Sequence, residues 1–329
     1  CNCATVLVKD NVIGGNTAGG MYIAGTDGVG ARIQGNHIGT DLTNTIDLGN
    51  TEDGVIVGGT YSGGSVLVGG TGAGEGNTIR FNGFSGINAN NFSTIEGSFL
   101  GNSVSDNEYL GIKLGFGNSG PAANDEGDSD EGPNDLLNFP IITQATESGG
   151  NTDIGYSLDV PEGDYRIEFY SNTEADPSGY GEGETYLGSD EVTSDGTGDQ
   201  DFTTSVSGTG HTHLAATATL IDPESFSGFG PTSEFGNFEP RADLEVASDD
   251  GVTEAENGAE HQYTFTVTNN GPVDVDNFSF MNADNVFHEA VYEVNDEEST
   301  ATTPGSFTDD VYTGLIKSGE TLSFTLSGT

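Results

Sequence analysis

The stretch Asn77-Thr-Ile-Arg-Phe-Asn82, followed by Gly86-Ile-Asn88 and Ser98-Phe-Leu-Gly-Asn102, decides the fold of this 329-residue chain. It places very short aliphatic strands between glycine and asparagine, and similar segments recur about once per 20–25 residues. Such segments are Asn11-Val-Ile-Gly-Gly-Asn16, Gly20-Met-Tyr-Ile23, Asn36-His-Ile-Gly-Thr40, Gly54-Val-Ile-Val57 and Gly111-Ile-Lys-Leu114.

One repeat is too small to bury a core of its own, so its aliphatic residues have to stack on those of the next repeat. Gly and Asn tolerate positive φ, and we expect both to turn the chain at the corners. The pattern therefore predicts a right-handed parallel β-helix.

The rest of the chain is also predicted to be all-β, because no segment shows a sustained apolar period of 3.6 residues. From about residue 138 the apolar period becomes two, as in Tyr165, Ile167 and Phe169. Alternating runs separated by turn residues are typical of antiparallel sandwiches. The predicted domains are a β-helix over 1–120, an acidic Gly/Asp-rich cap or linker over 121–137, and immunoglobulin-like β-sandwiches over 138–238 and 239–329.

The charge of the chain is extreme, with 53 acidic and 7 basic residues and a formal net charge of -46. Such self-repulsion is tolerable where salt shortens the Debye length, which indicates a protein of a salt-adapted microbe. An acidic cation-binding or disordered chain is the alternative, and the regular strand alternation argues against disorder. Nucleic acid and anionic membranes are excluded as partners by this surface. Only 10 of the acidic residues lie in residues 1–120, so the β-helix repels a copy of itself least.

The start of the chain and its two cysteines bear on where the protein works. The chain starts without Met or a signal peptide, and we expect it to be a mature or trimmed piece of a longer secreted, cell-surface protein. No apolar run is long enough to span a membrane. Cys1 and Cys3 are too close along one extended segment to bridge each other, which leaves free thiols, a partner chain or an upstream segment.

One coil of the repeat is enlarged. The step from Asn36 to Asn77 is 41 residues, and the excess lies in the segments 41–47 and 70–76. Loops that protrude from a solenoid often carry binding functions, although they also serve as simple spacers.

The chain resembles, along its whole length, large secreted bacterial and archaeal surface proteins with parallel β-helix repeats. The last domain is similar to the immunoglobulin-like repeat called domain of unknown function 11. The resemblance implies an adhesive or structural role at the cell surface and no particular chemistry. Lys113 departs from it, since relatives usually carry an acidic residue there. The motifs that carry the resemblance are Arg32-Ile-Gln-Gly-Asn-His-Ile-Gly-Thr-Asp41, Asp125-Glu-Gly-Asp-Ser-Asp-Glu-Gly-Pro-Asn134, Leu137-Asn-Phe-Pro-Ile141, Tyr165-Arg-Ile-Glu-Phe-Tyr-Ser-Asn172, Thr232-Ser-Glu-Phe235 and Tyr263-Thr-Phe-Thr-Val-Thr-Asn-Asn-Gly-Pro272.

The candidate metal site is the acidic segment after the β-helix. Asp125, Asp128, Asp130 and Asp135 lie in a glycine-broken loop that can supply oxygen ligands to Ca²⁺. The closing Glu of an EF-hand is missing, and a solvated acidic linker explains the same residues. Ca²⁺ is thus the one cofactor that we consider, and no cofactor is required.

Two weaker signals concern metal binding and glycosylation. His211 and His213 share one face of a predicted strand, but no third ligand for Zn²⁺ or Cu²⁺ lies nearby in the sequence.

Asn91 and Asn277 each start an Asn-Phe-Ser acceptor sequence for N-glycosylation. Two such sequences are about the number that chance gives in an Asn-rich chain.

Catalysis is disfavoured, although many β-helices cleave acidic polysaccharides. Such enzymes need clustered carboxylates and a cationic group at the substrate. The acids Asp27, Asp41 and Asp53 fall at unmatched positions of the repeat. The basic residues after Lys9 in the predicted β-helix are Arg32, Arg80 and Lys113.

The sequence therefore favours a non-catalytic structural protein that assembles with copies of itself into a surface appendage, filament or coat. An open coil end, which another strand could cover, supports this hypothesis. The alternative is an adhesin that binds surface glycans through the enlarged coil. A polysaccharide lyase or hydrolase is the third hypothesis.

Overall fold

The computed structural model describes residues 5–24, 30–58, 65–90, 96–115, 120–238, 244–249, 261–269, 274–281, 291–294, 306–308 and 311–328. The chain divides into two compact units, Cys1–Glu239 and Pro240–Thr329. Its regular structure is almost entirely strand, which confirms the all-β prediction. No helix among these residues is long and apolar enough to cross a membrane.

The first unit starts with a solenoid of four coils, each of which gives one strand to each of three parallel sheets. The sheet orders are β1-β4-β7-β10, β2-β5-β8-β11 and β3-β6-β9-β12. The strands are β1 (Thr5–Lys9), β2 (Val12–Ile13), β3 (Met21–Ala24), β4 (Gly30–Gln34), β5 (His37–Ile38), β6 (Val55–Gly58), β7 (Ser65–Gly69), β8 (Thr78–Arg80), β9 (Ile87–Ala89), β10 (Glu96–Leu100), β11 (Ser103–Ser105) and β12 (Ile112–Leu114).

The aliphatic residues of successive coils form columns, as the repeat predicts. Ile38, Ile79 and Val104 pair in register across β5, β8 and β11 and are completely buried. Each side chain covers its neighbour in the next coil, so burial depends on stacking rather than on any one coil.

A turn of 3-10 helix (Pro133–Leu136) leads from the solenoid into a β-sandwich. Its two sheets have the antiparallel orders β13-β14-β17 and β16-β15-β18-β19. The strands are β13 (Ile141–Ser148), β14 (Asn151–Leu158), β15 (Gly163–Ser171), β16 (Thr185–Ser194), β17 (Gln200–Ser207), β18 (Ala215–Ile221) and β19 (Phe229–Thr232).

Strand β15 is buried on both faces. Tyr165, Ile167 and Phe169 point into the core of the sandwich, as their alternation predicts. On the other face, Glu168 and Tyr170 are also buried, and Tyr170 belongs to the core of the β-helix. The four-stranded sheet therefore packs against the last coil and joins solenoid and sandwich in one unit.

The second unit is a smaller pair of antiparallel sheets, with orders β20-β21-β26-β23 and β22-β25-β24. Its described core contains Val267, Ile316, Leu322 and Phe324. The strands are β20 (Leu244–Asp249), β21 (His261–Asn269), β22 (Val275–Met281), β23 (Val291–Val294), β24 (Ser306–Thr308), β25 (Val311–Ile316) and β26 (Thr321–Gly328).

The corners of the solenoid differ from the expectation in one respect. Positive φ falls on the residue before a corner asparagine, as at Asp10 (57°), Gly35 (63°) and Gly101 (60°). The corner asparagines that follow, such as Asn11, do not have positive φ. They are needed for the hydrogen bonds of their side chains.

Candidate functional site

The corner asparagines form two ladders along the β-helix, with one residue of each ladder per coil. Ladder 1 consists of Asn11, Asn36, Asn77 and Asn102, and ladder 2 of Asn16, Asn50, Asn82 and Asn107. In ladder 1 the backbone N–H and the Nδ2 of each asparagine donate to Oδ1 of the next, as from Asn77 to Asn102 at 3.1 and 2.9 Å. The backbone donor requires the accepting atom to be the amide oxygen, which fixes the orientation of each amide.

These ladders have a direction. Between two asparagines of a ladder, the one in the N-terminal coil always donates, and Oδ1 of the one in the next coil accepts. Most of them are fully buried, where an unmade hydrogen bond costs about 1–3 kcal/mol. The last asparagine of ladder 2, Asn107, therefore needs an acceptor beyond the last coil.

Glu182 is that acceptor for ladder 2. Nδ2 of Asn107 donates to Oε1 of Glu182 at 2.9 Å, and the backbone N–H of Asn107 faces Oε2 at 3.4 Å. Glu182 lies between β15 and β16 of the sandwich, and its burial raises the pKa of its carboxyl to about 8. A side chain of the sandwich thus takes the place of the next asparagine.

Other side chains of the sandwich and of the 3-10 turn cover the free edge of β10. Gly97 N–H donates to Oδ1 of Asn134, Phe99 N–H to Oγ1 of Thr232, and Gly101 N–H to Oε2 of Glu168, all at 2.7–2.9 Å. Gly97 and Phe99 are alternate residues of β10 and Gly101 directly follows the strand, so the three amides point to the same side of the parallel ladder.

The edges of β11 and β12 are closed in the same way. Val104 exchanges two backbone hydrogen bonds with Gly183, and Leu114 N–H donates to Oε1 of Glu234 at 2.8 Å. Burial raises the pKa of Glu234, and Lys113, whose Nζ lies 3.4 Å from Oε1, opposes that rise.

An apolar plug completes the closure. Phe235 and Tyr170 meet edge to face at 5.4 Å, and both belong to the core of the β-helix. Gly111 has no room for a side chain, because a Cβ there would lie 2.8 Å from the Phe235 ring. We call the sandwich surface that carries Glu168, Glu182, Glu234, Tyr170 and Phe235 the cap. The cap supplies acceptors at the coil corners and apolar contacts at the centre.

An acidic groove of 490 Å³ runs beside the cap. Its lining includes the carboxylates of Asp106, Glu108, Glu174, Asp176 and Glu184. Several are already engaged: Asp106 pairs with Arg80, and Glu184 accepts from Thr173 N–H and Oγ1. In the described part of the chain, no group of three or more His, Cys, Asp or Glu is arranged to hold a metal ion.

The predicted calcium ligands lie in the segment that leads into the sandwich. Asp125 accepts from Ser129 N–H and Oγ, and Asp128 accepts from Asn138 N–H at 2.8 Å. Burial and, to a smaller extent, the charges of Asp125, Asp135 and Asp159 raise the pKa of Asp128 to about 6. Asp130 and Asp135 have exposed side chains. Two of these carboxylates thus already accept hydrogen bonds from the chain, and calcium binding stays a prediction.

The remaining candidate residues are dispersed. His211 is half-buried, His213 is exposed, and His211 Nε2 lies 3.1 Å from the carbonyl oxygen of Ser207. Asp53 accepts from Ser85 N–H and Asn88 Nδ2. Arg32 stacks on Phe226, with its guanidinium carbon 4.4 Å from the ring centre. Cys1, Cys3, Asp27 and Asn91 lie outside the described residues, as does the side chain of Asn277.

Sequence reasoning missed the two ladders and the cap. The recurrence of asparagine at a spacing of 25 residues was a usable signal for ladder 1. Glu168, Glu182 and Glu234 gave no such signal, because their role arises only when the sandwich docks.

No protein-family model matches the chain, and no curated protein matches it significantly. The resemblance to β-helical surface proteins therefore stays a prediction.

Proposed function

We propose that this chain is a non-catalytic, rigid structural segment of an extracellular cell-surface assembly that works in concentrated salt. The supporting observation is the closure of the last coil by the cap: Asn107 bonds to Glu182, and Tyr170 and Phe235 fill the end of the core. A solenoid locked to a sandwich transmits force along its length without bending at a linker.

The proposed partner is a second copy of the chain, which associates through the flanks of the β-helix. The flanks carry little charge compared with the rest of the molecule, since residues 1–120 hold 10 of the 53 acidic residues. End-to-end stacking of coils does not serve this purpose, because the cap occupies the C-terminal end of each copy.

Electron microscopy in molar salt and after dilution tests this proposal. We expect regular filaments or sheets in molar salt that loosen on dilution, because weaker screening restores self-repulsion. Discrete monomers at all salt concentrations would overturn self-assembly.

A second candidate function is glycan or protein binding by the enlarged coil. Asp41 organises the 41–47 loop by accepting from Thr45 and Ile46 N–H, and the loop leaves Leu42 and Ile46 exposed to 68% and 55%. Large exposed apolar residues on an ordered loop are typical of interaction sites.

The double variant Leu42→Ser, Ile46→Ser tests this candidate on arrays of surface glycans. Binding by the natural chain that the variant loses, at an unchanged midpoint of thermal unfolding, would favour an adhesin. Equal behaviour of both proteins would count against it.

A further inference from the structure

The N-terminal end of the β-helix is built like its interior but has no cover in the described structure. β1, β2 and β3 are edge strands, and no described strand pairs with their outer side. Ile13, Met21 and Ile23 pack on the core yet remain partly exposed, whereas their in-register neighbours Ile38, Val55 and Val57 are completely buried. The apolar columns of the solenoid are therefore closed by the cap at one end only.

The ladders define the chemistry that this open end requires. Asn11 donates to Asn36 and Asn16 to Asn50, as every asparagine does in the coils above. Oδ1 of Asn11 and Oδ1 of Asn16 accept no hydrogen bond from any described residue, and both side chains are exposed. The open end thus presents two acceptors at fixed corner positions, where donors of a further coil can take the place of water.

A second copy of the chain cannot supply those donors from either end of its β-helix. Its C-terminal ladder donors are already engaged, since Nδ2 of Asn107 donates to Glu182 and Nδ2 of Asn102 donates to the carbonyl of Val68. Its N-terminal end would place the oxygens of Asn11 and Asn16 against the same oxygens. Two amide oxygens that face each other cannot form a hydrogen bond, because neither carries a hydrogen.

We propose that the open end is a docking surface for one further parallel coil that carries asparagine at both ladder positions. That coil donates its backbone N–H groups and its Nδ2 groups to Oδ1 of Asn11 and Asn16, and it buries Ile13, Met21 and Ile23. The inference rests on the direction in which the asparagines of the ladders donate their hydrogen bonds. It does not depend on the proposed association of β-helices through their flanks.

The test supplies this coil by fusion to the full chain. Fusing a copy of Asn77–Asn91 directly ahead of Cys1 keeps the 25-residue spacing between the copied Asn77 and Asn11 and between the copied Asn82 and Asn16. The matched control is the same extension with Asn77→Asp and Asn82→Asp in the copied coil, because aspartate keeps the acceptor oxygen and lacks the amide donor. Hydrogen exchange of residues 5–24 is measured in molar salt for all three proteins.

We expect the asparagine extension to slow exchange in β2 and β3, which the copied strands cover, by at least about tenfold, and the aspartate extension to slow it much less. Equal slowing by both extensions, or slowing by neither, would overturn the proposal. Analytical ultracentrifugation of the natural chain gives an independent check. Exchange in residues 5–24 should not depend on concentration, and a dimer that protects those residues would show that a second copy covers the end.

Discussion

Glu182 is the residue on which ladder 2 depends, and its protonation links the cap to pH. The folded chain holds a proton on Glu182 up to a pKa of about 8, whereas an exposed glutamate loses it near pH 4.5. Between these values the folded state binds more protons than the unfolded state, so this group's contribution to stability falls as the pH rises. Below about pH 4.5 the contribution is complete.

We expect Glu182→Gln to flatten the pH dependence of unfolding between about pH 5 and 8, because glutamine has no proton to lose. It keeps an oxygen for Nδ2 of Asn107, so its stability at pH 5 should lie near that of the natural chain. Glu182→Ala removes the acceptor and should cost about 2 kcal/mol at pH 5. The cost should be smaller at pH 8, because Glu182 itself contributes less to stability there. Denaturant unfolding at the two pH values measures these effects, and a Gln variant with the natural pH profile would contradict the assignment.

Lys113 and Glu234 form a buried ion pair, and removing one charge should cost more than removing both. Lys113→Met would leave the Glu234 carboxylate without its cation, and breaking a buried pair in this way costs about 3–5 kcal/mol. The double variant Lys113→Met, Glu234→Gln should recover part of that loss, since no buried charge remains. A double-mutant cycle in denaturant measures the coupling, and strictly additive losses would contradict it.

At the level of elements, the ladders hold the corners of successive coils in register. Oδ1 of Asn77 accepts from Asn36, and its Nδ2 donates to Asn102 and to the carbonyl of Ile33. Removing this side chain deprives the backbone N–H of Asn36 and the carbonyl of Ile33, both in the coil below, of these buried partners.

Asn77→Ala should therefore destabilise the first unit by about 3 kcal/mol. Asn151→Ala is the matched control, because Asn151 is exposed, lies outside both ladders and should cost less than about 0.5 kcal/mol. Thermal and denaturant unfolding of both variants measure the difference. Equal losses of unfolding free energy in the two variants would mean that a ladder asparagine stabilises the chain no more than an ordinary surface asparagine.

The strands of the β-helix could be predicted from the sequence better than its corners or its contact with the sandwich. Short apolar runs beside Gly and Asn predicted that Ile38 and Ile79 stack in one column, because stacking is a property of each repeat. Val104, which continues this column, was not part of the predicted repeat. Turn propensity explained Gly35 and Gly101 but misassigned the asparagines beside them, whose side chains bond to residues in another coil. The buried outer face of β15 could not be predicted, since Glu168 reads as a solvent-facing residue until the last coil lies against it.

At the level of the whole molecule, the dominant force is the self-repulsion of a chain with a net charge of -46. The Debye length falls from about 10 Å at 0.1 M salt to about 3 Å at 1 M, so added salt removes most of this repulsion. The midpoint of thermal unfolding should rise steadily between 0.1 and 2 M NaCl. A midpoint that is independent of salt would contradict adaptation to concentrated salt.

The central claim is that the cap joins the β-helix and the sandwich into one cooperative body. Native-state hydrogen exchange in molar salt tests it, with Phe235→Ala as the variant and Phe202→Ala, which is partly buried against the sandwich core and away from the cap, as the control. The claim predicts that the slowest amides of β10, β11, β15 and β18 share one opening free energy in the natural chain. Phe235→Ala should lower that value in all four strands together, by about 3–5 kcal/mol. Separate opening free energies for the solenoid and the sandwich, each unchanged by Phe235→Ala, would contradict the claim.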